Sequence, residues 1–333
     1  MGRATRITVI LVVTAACLAA ALWNIDPIVA AEAFTHTRWW MLLPMWALYL
    51  VAHSLRVWRL GLLLPEPVPF RQLFSINSVG FLAINVIPLR LGEMVRPWLL
   101  AERRKIPFAA SLAAIFIERL LDMVMLLLML LGVTWLVALP EGGLVIEGVD
   151  VIQAGQRFAG IIALVGTLAG AVLIWVGEPL IHLLELLPMG GLVAGFARKF
   201  REGFVQLARQ PSRAILLLSI SASIWAVTIA AIGVFMGAFP GVPTGVSEAW
   251  STWAITLSGM VALPTPGFFG SFELFCSSAL WLLWGVERAL AGSFAIALHI
   301  GQFTFTVGLG AAFLVVEGLS IRDLVQPIPE AVE

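Results

Sequence analysis

Apolar runs long enough to cross a lipid bilayer recur through most of this chain, and that feature rules out nearly every soluble fold. A transmembrane helix needs about 20 predominantly apolar residues. Stretches of that kind lie at about Ile7–Trp23, Trp39–Leu64, Phe108–Leu139, Phe158–Leu187, Ala214–Phe239 and Ala289–Gly318. Only 12% of the 333 residues are charged against 60% apolar, about half the roughly 25% charge of a soluble domain. With lipid as the main solvent, backbone polar groups must be satisfied within each segment, so an all-α polytopic integral membrane protein is expected. The first run follows Arg3 and Arg6 and carries small residues at Ala15, Ala16 and Ala19, as a signal peptide would. With further spans behind it, the expectation is an uncleaved first helix.

Two more apolar regions are interrupted. One runs from Leu73 to Leu100 and is broken at Asn85-Val86-Ile87-Pro88-Leu89-Arg90-Leu91-Gly92. The other runs from Val246 to Trp284 and is broken at Leu263-Pro264-Thr265-Pro266-Gly267-Phe268-Phe269-Gly270. Proline lacks the backbone donor and clashes with the preceding turn, so each break ends a helix. What remains on either side suits a hairpin of half-helices entering and leaving on one face.

Divided in two, the chain reads span, span, broken hairpin, span in each half. Pro88 and Gly92 correspond to Pro266 and Gly270, with the same four-residue step. Three spans per half is an odd number, which turns the second half upside down. The predicted architecture is therefore an inverted repeat of about six full spans plus two broken re-entrant helical hairpins. It forms a single membrane domain over 1–333, with a first repeat over 1–140, a second over 155–320 and a cytoplasmic tail over 321–333. Inverted repeats with broken helices at matching positions are the architecture of secondary transporters.

Charge sets the expected orientation. Arg3 and Arg6, Arg71, Arg96–Lys105, Arg198–Arg213 and Arg322 fall on one side of the proposed spans, while Asp26, Glu32, Glu141, Glu147, Asp150 and Glu248 fall on the other. The positive-inside rule then places both termini in the cytoplasm. Leu192–Gln210 reads as a basic amphipathic helix lying on the inner leaflet, chiefly as a topological anchor.

Ionisable side chains at membrane depth are costly, and their default reading is functional. Glu118, Arg119 and Asp122 share one arc of a helix, where they can pair with one another as a structural clasp or meet a substrate directly. Arg90, Gly92 and Glu93 follow the first break. A half-helix starting there would aim its positive end inward, where unpaired N–H groups suit an anion, and Arg90 adds a planar fork suited to phosphate. Arg96 reads chiefly as a cytoplasmic topology charge. Pro266-Gly267-Phe268-Phe269-Gly270 repeats the first break without a cation, but with Glu273 on the following turn. Arg56 is a candidate charge partner for Glu118 or Asp122, whereas Arg59 is expected to snorkel to the interface.

Cys17 and Cys276 lie in apolar runs without CxxC spacing, and His36, His53, His182 and His299 lack metal-ligand spacing. No metal and no cofactor are predicted. Equal numbers of basic and acidic residues, 20 each, give no sign of a nucleic-acid partner. No nucleophile–base set or phosphate-cradling loop is present, so the chain is not expected to be an enzyme by itself.

Three motifs lie in order along the chain: Asn85-x-x-Pro88-x-Arg90-x-Gly92-Glu93-x-x-Arg96, Glu118-Arg119-x-x-Asp122, and Pro264-x-Pro266-Gly267-x-x-Gly270-x-x-Glu273. Together they resemble the lysylphosphatidylglycerol synthase transmembrane-region family, also called flippase-like membrane proteins. The resemblance covers about Ile7 to Ser320. Phe268-Phe269 departs from it, since the family tends to have a further Gly after the Pro-Gly pair. The resemblance implies an inner-membrane protein that moves lipids or lipid-linked substrates between leaflets. In the multiple peptide resistance factor a related membrane domain is fused to a soluble aminoacyl transferase, and no such activity is expected of these residues. The implied partners are membrane lipids, together with a lipid-modifying enzyme if the chain is instead a non-catalytic membrane subunit. A membrane-embedded lipid transferase is the third reading. The expected substrate-binding set is Asn85, Arg90, Gly92, Glu93, Glu118, Arg119, Asp122 and Glu273, with a phosphate-bearing headgroup held between the two hairpins.

Overall fold

The computed structural model describes residues 27–87, 92–137, 145–146, 149–177, 179, 181–182, 190–263, 265–320 and 324. The predicted first span, Pro88, Arg90, Pro264 and nearly all of the tail lie outside the described residues. So do Glu141 and Glu147.

The regular elements among the described residues are helices, apart from one two-residue antiparallel pairing, β1 (Val145–Ile146) with β2 (Val149–Asp150). The helices are α1 (Pro27–His36), α2 (Leu42–Leu63), α3 (Phe70–Val86), α4 (Val95–Arg104), α5 (Phe108–Leu136), α6 (Val151–Val176), α7 (Gly190–Arg209), α8 (Pro211–Met236), α9 (Val246–Ala262), α10 (Ser271–Trp284) and α11 (Arg288–Val316). Among the described residues five helical stretches are long and apolar enough to cross a membrane: Trp39–Leu63, Ile152–Ala169, Pro211–Met236, Pro266–Trp284 and Arg288–Val316. The fourth contains the second break. Helix α5 is as long as α11, at 29 residues, but carries Glu118, Arg119 and Asp122. At about 1.5 Å per residue a helix of that length exceeds the roughly 30 Å apolar thickness of a bilayer.

Both interrupted regions are broken as expected. The first is α3 and α4, with the chain leaving helix at Ile87 (ψ 120°). The second is α9 and α10, separated by a short 3-10 turn over Pro266–Phe268. The element order α2, α3/α4, α5 recurs as α8, α9/α10, α11, and α3 and α9 are both 17 residues long.

Element ends follow local chemistry. Helix α6 begins at Val151, seven residues before the predicted Phe158, because the Asp150 carboxylate accepts the backbone N–H groups of Ile152 and Gln153, each at 3.1 Å. Its polar first turns, with Gln153, Gln156 and Arg157, hide that start from an apolar-run reading. Glu287 caps α11 in the same manner, accepting from Ala289 and Leu290 at 2.9 Å. Arg288 beside it stacks 3.6 Å over the Trp281 ring. Helix α1 was not anticipated, since ten residues with no apolar stripe give no periodic signal.

The chain divides into two compact units: unit one is 1–52, 125–159 and 225–305, and unit two is 53–124, 160–224 and 306–333. Helices α2, α5, α6, α8 and α11 each contribute one end to each unit. The α9/α10 pair belongs to unit one, and the α3/α4 pair to unit two.

Unit one is held by an aromatic cluster in which Phe239 meets Phe34, Trp39, Phe235 and Phe294 at centroid distances between 5.5 and 6.5 Å. Helices α9 and α10 approach so closely that a Cβ on Gly259 would lie 2.0 Å from the Phe275 ring. In unit two the core gathers Val57, Leu60, Ile76, Val79, Leu99 and Ala114 from α2 to α5, with Leu314 from α11. Gly310 of α11 lies directly against Leu82 and the Ser78 carbonyl of α3. A second group, Phe116, Phe196 and Phe200, packs α7 on α5. Along α6, Ile161, Leu164, Val165, Leu168, Val172 and Trp175 stay exposed at helical spacing, the apolar stripe that a lipid-facing helix presents.

Candidate functional site

The charged centre of unit two is built around Glu118. It sits on α5, 2% exposed, and its two oxygens face different helices. Arg96 Nη2 of α4 donates to Oε2 at 2.7 Å, and Arg59 Nε of α2 donates to Oε1 at 3.4 Å. Arg59 Nη1 also donates to Asp122 Oδ1 at 2.8 Å and to Ser221 Oγ of α8 at 3.0 Å. Ser221 passes its own proton to the Leu217 carbonyl. Four helices are therefore joined by two arginines, two carboxylates and one hydroxyl. Arg119 stands at the edge, 37% exposed, with Nη1 3.5 Å from Asp122 Oδ2.

Local sequence makes room for this arrangement. A Cβ on Gly80 would lie 2.1 Å from Arg96 Cγ, so only glycine lets the arginine stem cross α3. Phe81, the next residue, offers its ring at 5.5 Å to the Arg96 guanidinium and at 6.0 Å to that of Arg56. His53 of α2 donates from Nε2 to Ser78 Oγ at 2.9 Å, because Ser78 spends its own proton on the Phe74 carbonyl. Its ring meets Phe74 and Phe81 edge-on.

Two sequence expectations reverse. Arg59 does not snorkel: it is 2% exposed and is the hub of the cluster. Arg96 is not a surface topology charge: it is 1% exposed and bonded to Glu118. The carboxylate pair i, i+4 on α5 predicted the inward face, and desolvation forces that face to recruit cations from neighbouring helices. Arg56, expected as the partner, lies within electrostatic reach of Asp122, while the hydrogen bonds come from Arg59, three residues further along.

The remaining predicted residues disperse. Asn85 Nδ2 donates to the Phe81 carbonyl of its own helix at 2.8 Å. Gly92 lies against α3: a Cβ there would lie 2.2 Å from the Ala83 carbonyl oxygen. Glu93 is half-buried, and Arg90 is outside the described residues.

Glu273 belongs to a separate cluster within unit one. It is 4% exposed. Its Oε2 accepts the Gly270 N–H at 2.7 Å, and its Oε1 lies 2.6 Å from Nδ1 of His299 on α11. His299 Nε2 lies 3.0 Å from the Gly267 carbonyl. Gly267 and Gly270 have φ of 57° and 87°, left-handed values that explain glycine at both positions. The sequence reading passed over His299 because it looked for metal spacing. The rule that flagged Glu118, an ionisable group inside an apolar helix, would have found it. Among the described residues no group of three His, Cys, Asp or Glu side chains could hold a metal ion.

No curated protein and no solved structure matches the chain. The family description "Lysylphosphatidylglycerol synthase TM region" matches residues 7–310, which include every helix described above except the last turns of α11. With that match, the broken pairs and the buried charges on α5, the chain belongs to the lysylphosphatidylglycerol synthase transmembrane-region family.

Proposed function

We propose that this protein is a translocase for lipids or lipid-linked substrates in the inner membrane, with both termini cytoplasmic, and that it is not itself a catalyst. The observation carrying this reading is the cluster of charged side chains buried together on α2, α4 and α5. Arg59, Arg96 and Arg119 stand against Glu118 and Asp122, with Arg56 in electrostatic reach. Charge inside an apolar helical protein is expensive and is retained where a polar species must pass. The planar fork of Arg119, partly exposed at the edge of the cluster, suits a phosphate-bearing headgroup. Acyl chains need no such provision, since they can stay in the bilayer while the headgroup crosses. Family membership points the same way, towards membrane lipids as the interacting molecules.

The test is a leaflet-exchange assay in proteoliposomes containing labelled phosphatidylglycerol. The wild-type chain should exchange label faster than protein-free vesicles. Arg119→Gln leaves the Arg59–Glu118–Arg96 core intact, and Arg90→Ala probes the first break. Each should slow exchange by about tenfold, the worth of one charge-assisted hydrogen bond of roughly 1.5 kcal/mol. Wild-type exchange no faster than that of empty vesicles refutes the proposal. A stable stoichiometric partner co-purifying with an inactive chain would make it instead the membrane subunit of a lipid-modifying enzyme.

A further inference from the structure

Both hydrogen bonds of the Glu273–His299 pair can form together only when it holds one proton more than a neutral imidazole and a carboxylate carry between them. The Gly267 carbonyl can only accept, so the contact at His299 Nε2, 3.0 Å away, requires a proton on Nε2. The 2.6 Å contact between Nδ1 and Glu273 Oε1 requires a second proton, on one atom or the other. Imidazolium with carboxylate satisfies both bonds, and so does neutral imidazole with carboxylic acid. Neutral imidazole with carboxylate satisfies only one: either Nδ1 or Nε2 must then turn a lone pair towards an oxygen.

We propose that Glu273, His299 and the turn over residues 265–270 form a one-proton binding site whose proton clamps the turn to α11. The turn is a segment that needs holding. Phe268 has φ of 62°, a left-handed value costly for a residue with a side chain. It follows Gly267 at 57° and precedes Gly270 at 87°. Inside the turn, Phe268 N–H donates to the Thr265 carbonyl, and Ser271 Oγ donates to the Phe268 carbonyl while meeting Thr265 Oγ1 at 3.0 Å. Anchorage to α11 comes through His299, which lies flat on Phe272 at 4.4 Å and beside Phe269 at 4.7 Å, and through Phe303, 5.5 Å from the Phe269 ring. Loss of one proton to the surrounding medium leaves neutral imidazole facing carboxylate. One of the two bonds then breaks, and the hold of α11 on the strained turn weakens.

Other charges are distant or absent on the packed elements. Residues 42–52 of α2 and 225–236 of α8 contain no charged side chain, and the Tyr49 phenol of α2 accepts from Gln302. Helix α9 brings only Glu248, on its first turn, and α11 brings Arg288 and its neighbour Glu287 about 16 Å of helix before His299. On α10 the other titratable group is Cys276, buried and hydrogen-bonded to Thr256.

The proposal is independent of any lipid substrate, and so is its test. Hydrogen–deuterium exchange of the full chain in nanodiscs, corrected for intrinsic exchange, is followed over residues 265–275 from about pH 5 to about pH 8. Opening of the turn should rise by about tenfold per pH unit above a midpoint, the slope of a single linked proton. Glu273→Gln should flatten the profile at high protection, since its amide N–H donates to Nδ1 and its carbonyl accepts from Gly270 without an ionisable proton. His299→Phe keeps the ring stack, removes both bonds and should expose the turn at every pH. Cys276→Ser should leave the wild-type step in place. A flat wild-type profile overturns the proposal whatever the variants do, and so does a step that survives Glu273→Gln or vanishes in Cys276→Ser.

Discussion

Glu118 is the residue whose environment demands the most of its neighbours. Removing it would leave Arg59 and Arg96 buried, facing each other across an empty acceptor. Breaking a buried pair by deleting one partner costs about 3–5 kcal/mol. Glu118→Ala should therefore lower the thermal midpoint of the purified protein far more than Arg119→Ala, whose partner Asp122 keeps Arg59. Arg96→Met combined with Glu118→Gln should cost less than the sum of the single changes, because each removes the other's stranded charge. Equal effects at Glu118 and Arg119 would show that the cluster is not the clasp its distances describe. At this scale the sequence was half legible. The carboxylates on α5 stood out, being charges in an apolar run. Arg59 and Arg96 did not, because each lies near a helix end and has the pattern of an interfacial cation. Only the approach of α2 and α4 to α5 distinguishes a buried arginine from a snorkelling one.

Glycine decides how elements meet, and its two uses in unit two predict different outcomes. At Gly80 the obstacle to a Cβ is the Arg96 stem, at 2.1 Å, a flexible chain that can shift. At Gly92 the obstacle is backbone, the Ala83 carbonyl oxygen at 2.2 Å and its carbon at 2.3 Å, which cannot. Gly92→Ala should therefore destabilise the α3/α4 pair by about 1–3 kcal/mol, the cost of overpacking a closed contact. Gly80→Ala should retain more stability, because the Arg96 stem can shift while its guanidinium stays on Glu118. Thermal unfolding of the two variants side by side checks the order, and a smaller loss at Gly92 would contradict it. The Pro and Gly residues that announced both breaks did so because their backbone chemistry is local. The asymmetry between the breaks was not local: the first is tied to an ion cluster, the second to a histidine from a helix that follows it in the chain.

For the whole molecule, orientation is the open consequence of charge. Basic residues gather around Arg103–Lys105 and Arg198–Arg209, while Glu32, Asp150 and Glu248 stand in the intervening connections between spans. The positive-inside rule then predicts that single cysteines at 103 and 202 react with an impermeant maleimide only after the inner membrane is opened. A cysteine at 244, in the loop before α9, should react in intact spheroplasts. Labelling of 103 from outside would reverse the assignment. Helix α7, with Arg198, Lys199 and Arg209 and with Phe200 turned onto Phe116, has one face for the protein and one for charge, consistent with an anchor at the basic surface.

By itself the sequence determined the class of fold, the approximate positions of most of the long apolar helices and the two places where the apolar regions break. Those follow from hydrophobic run length, from proline and from glycine, all of which act within a few residues. The tertiary structure decided which charges are buried and which oxygen faces which nitrogen. Such pairings join positions as far apart as Arg59 and Ser221, and the free energy of a buried charge depends on the neighbours that packing supplies rather than on its place in the chain.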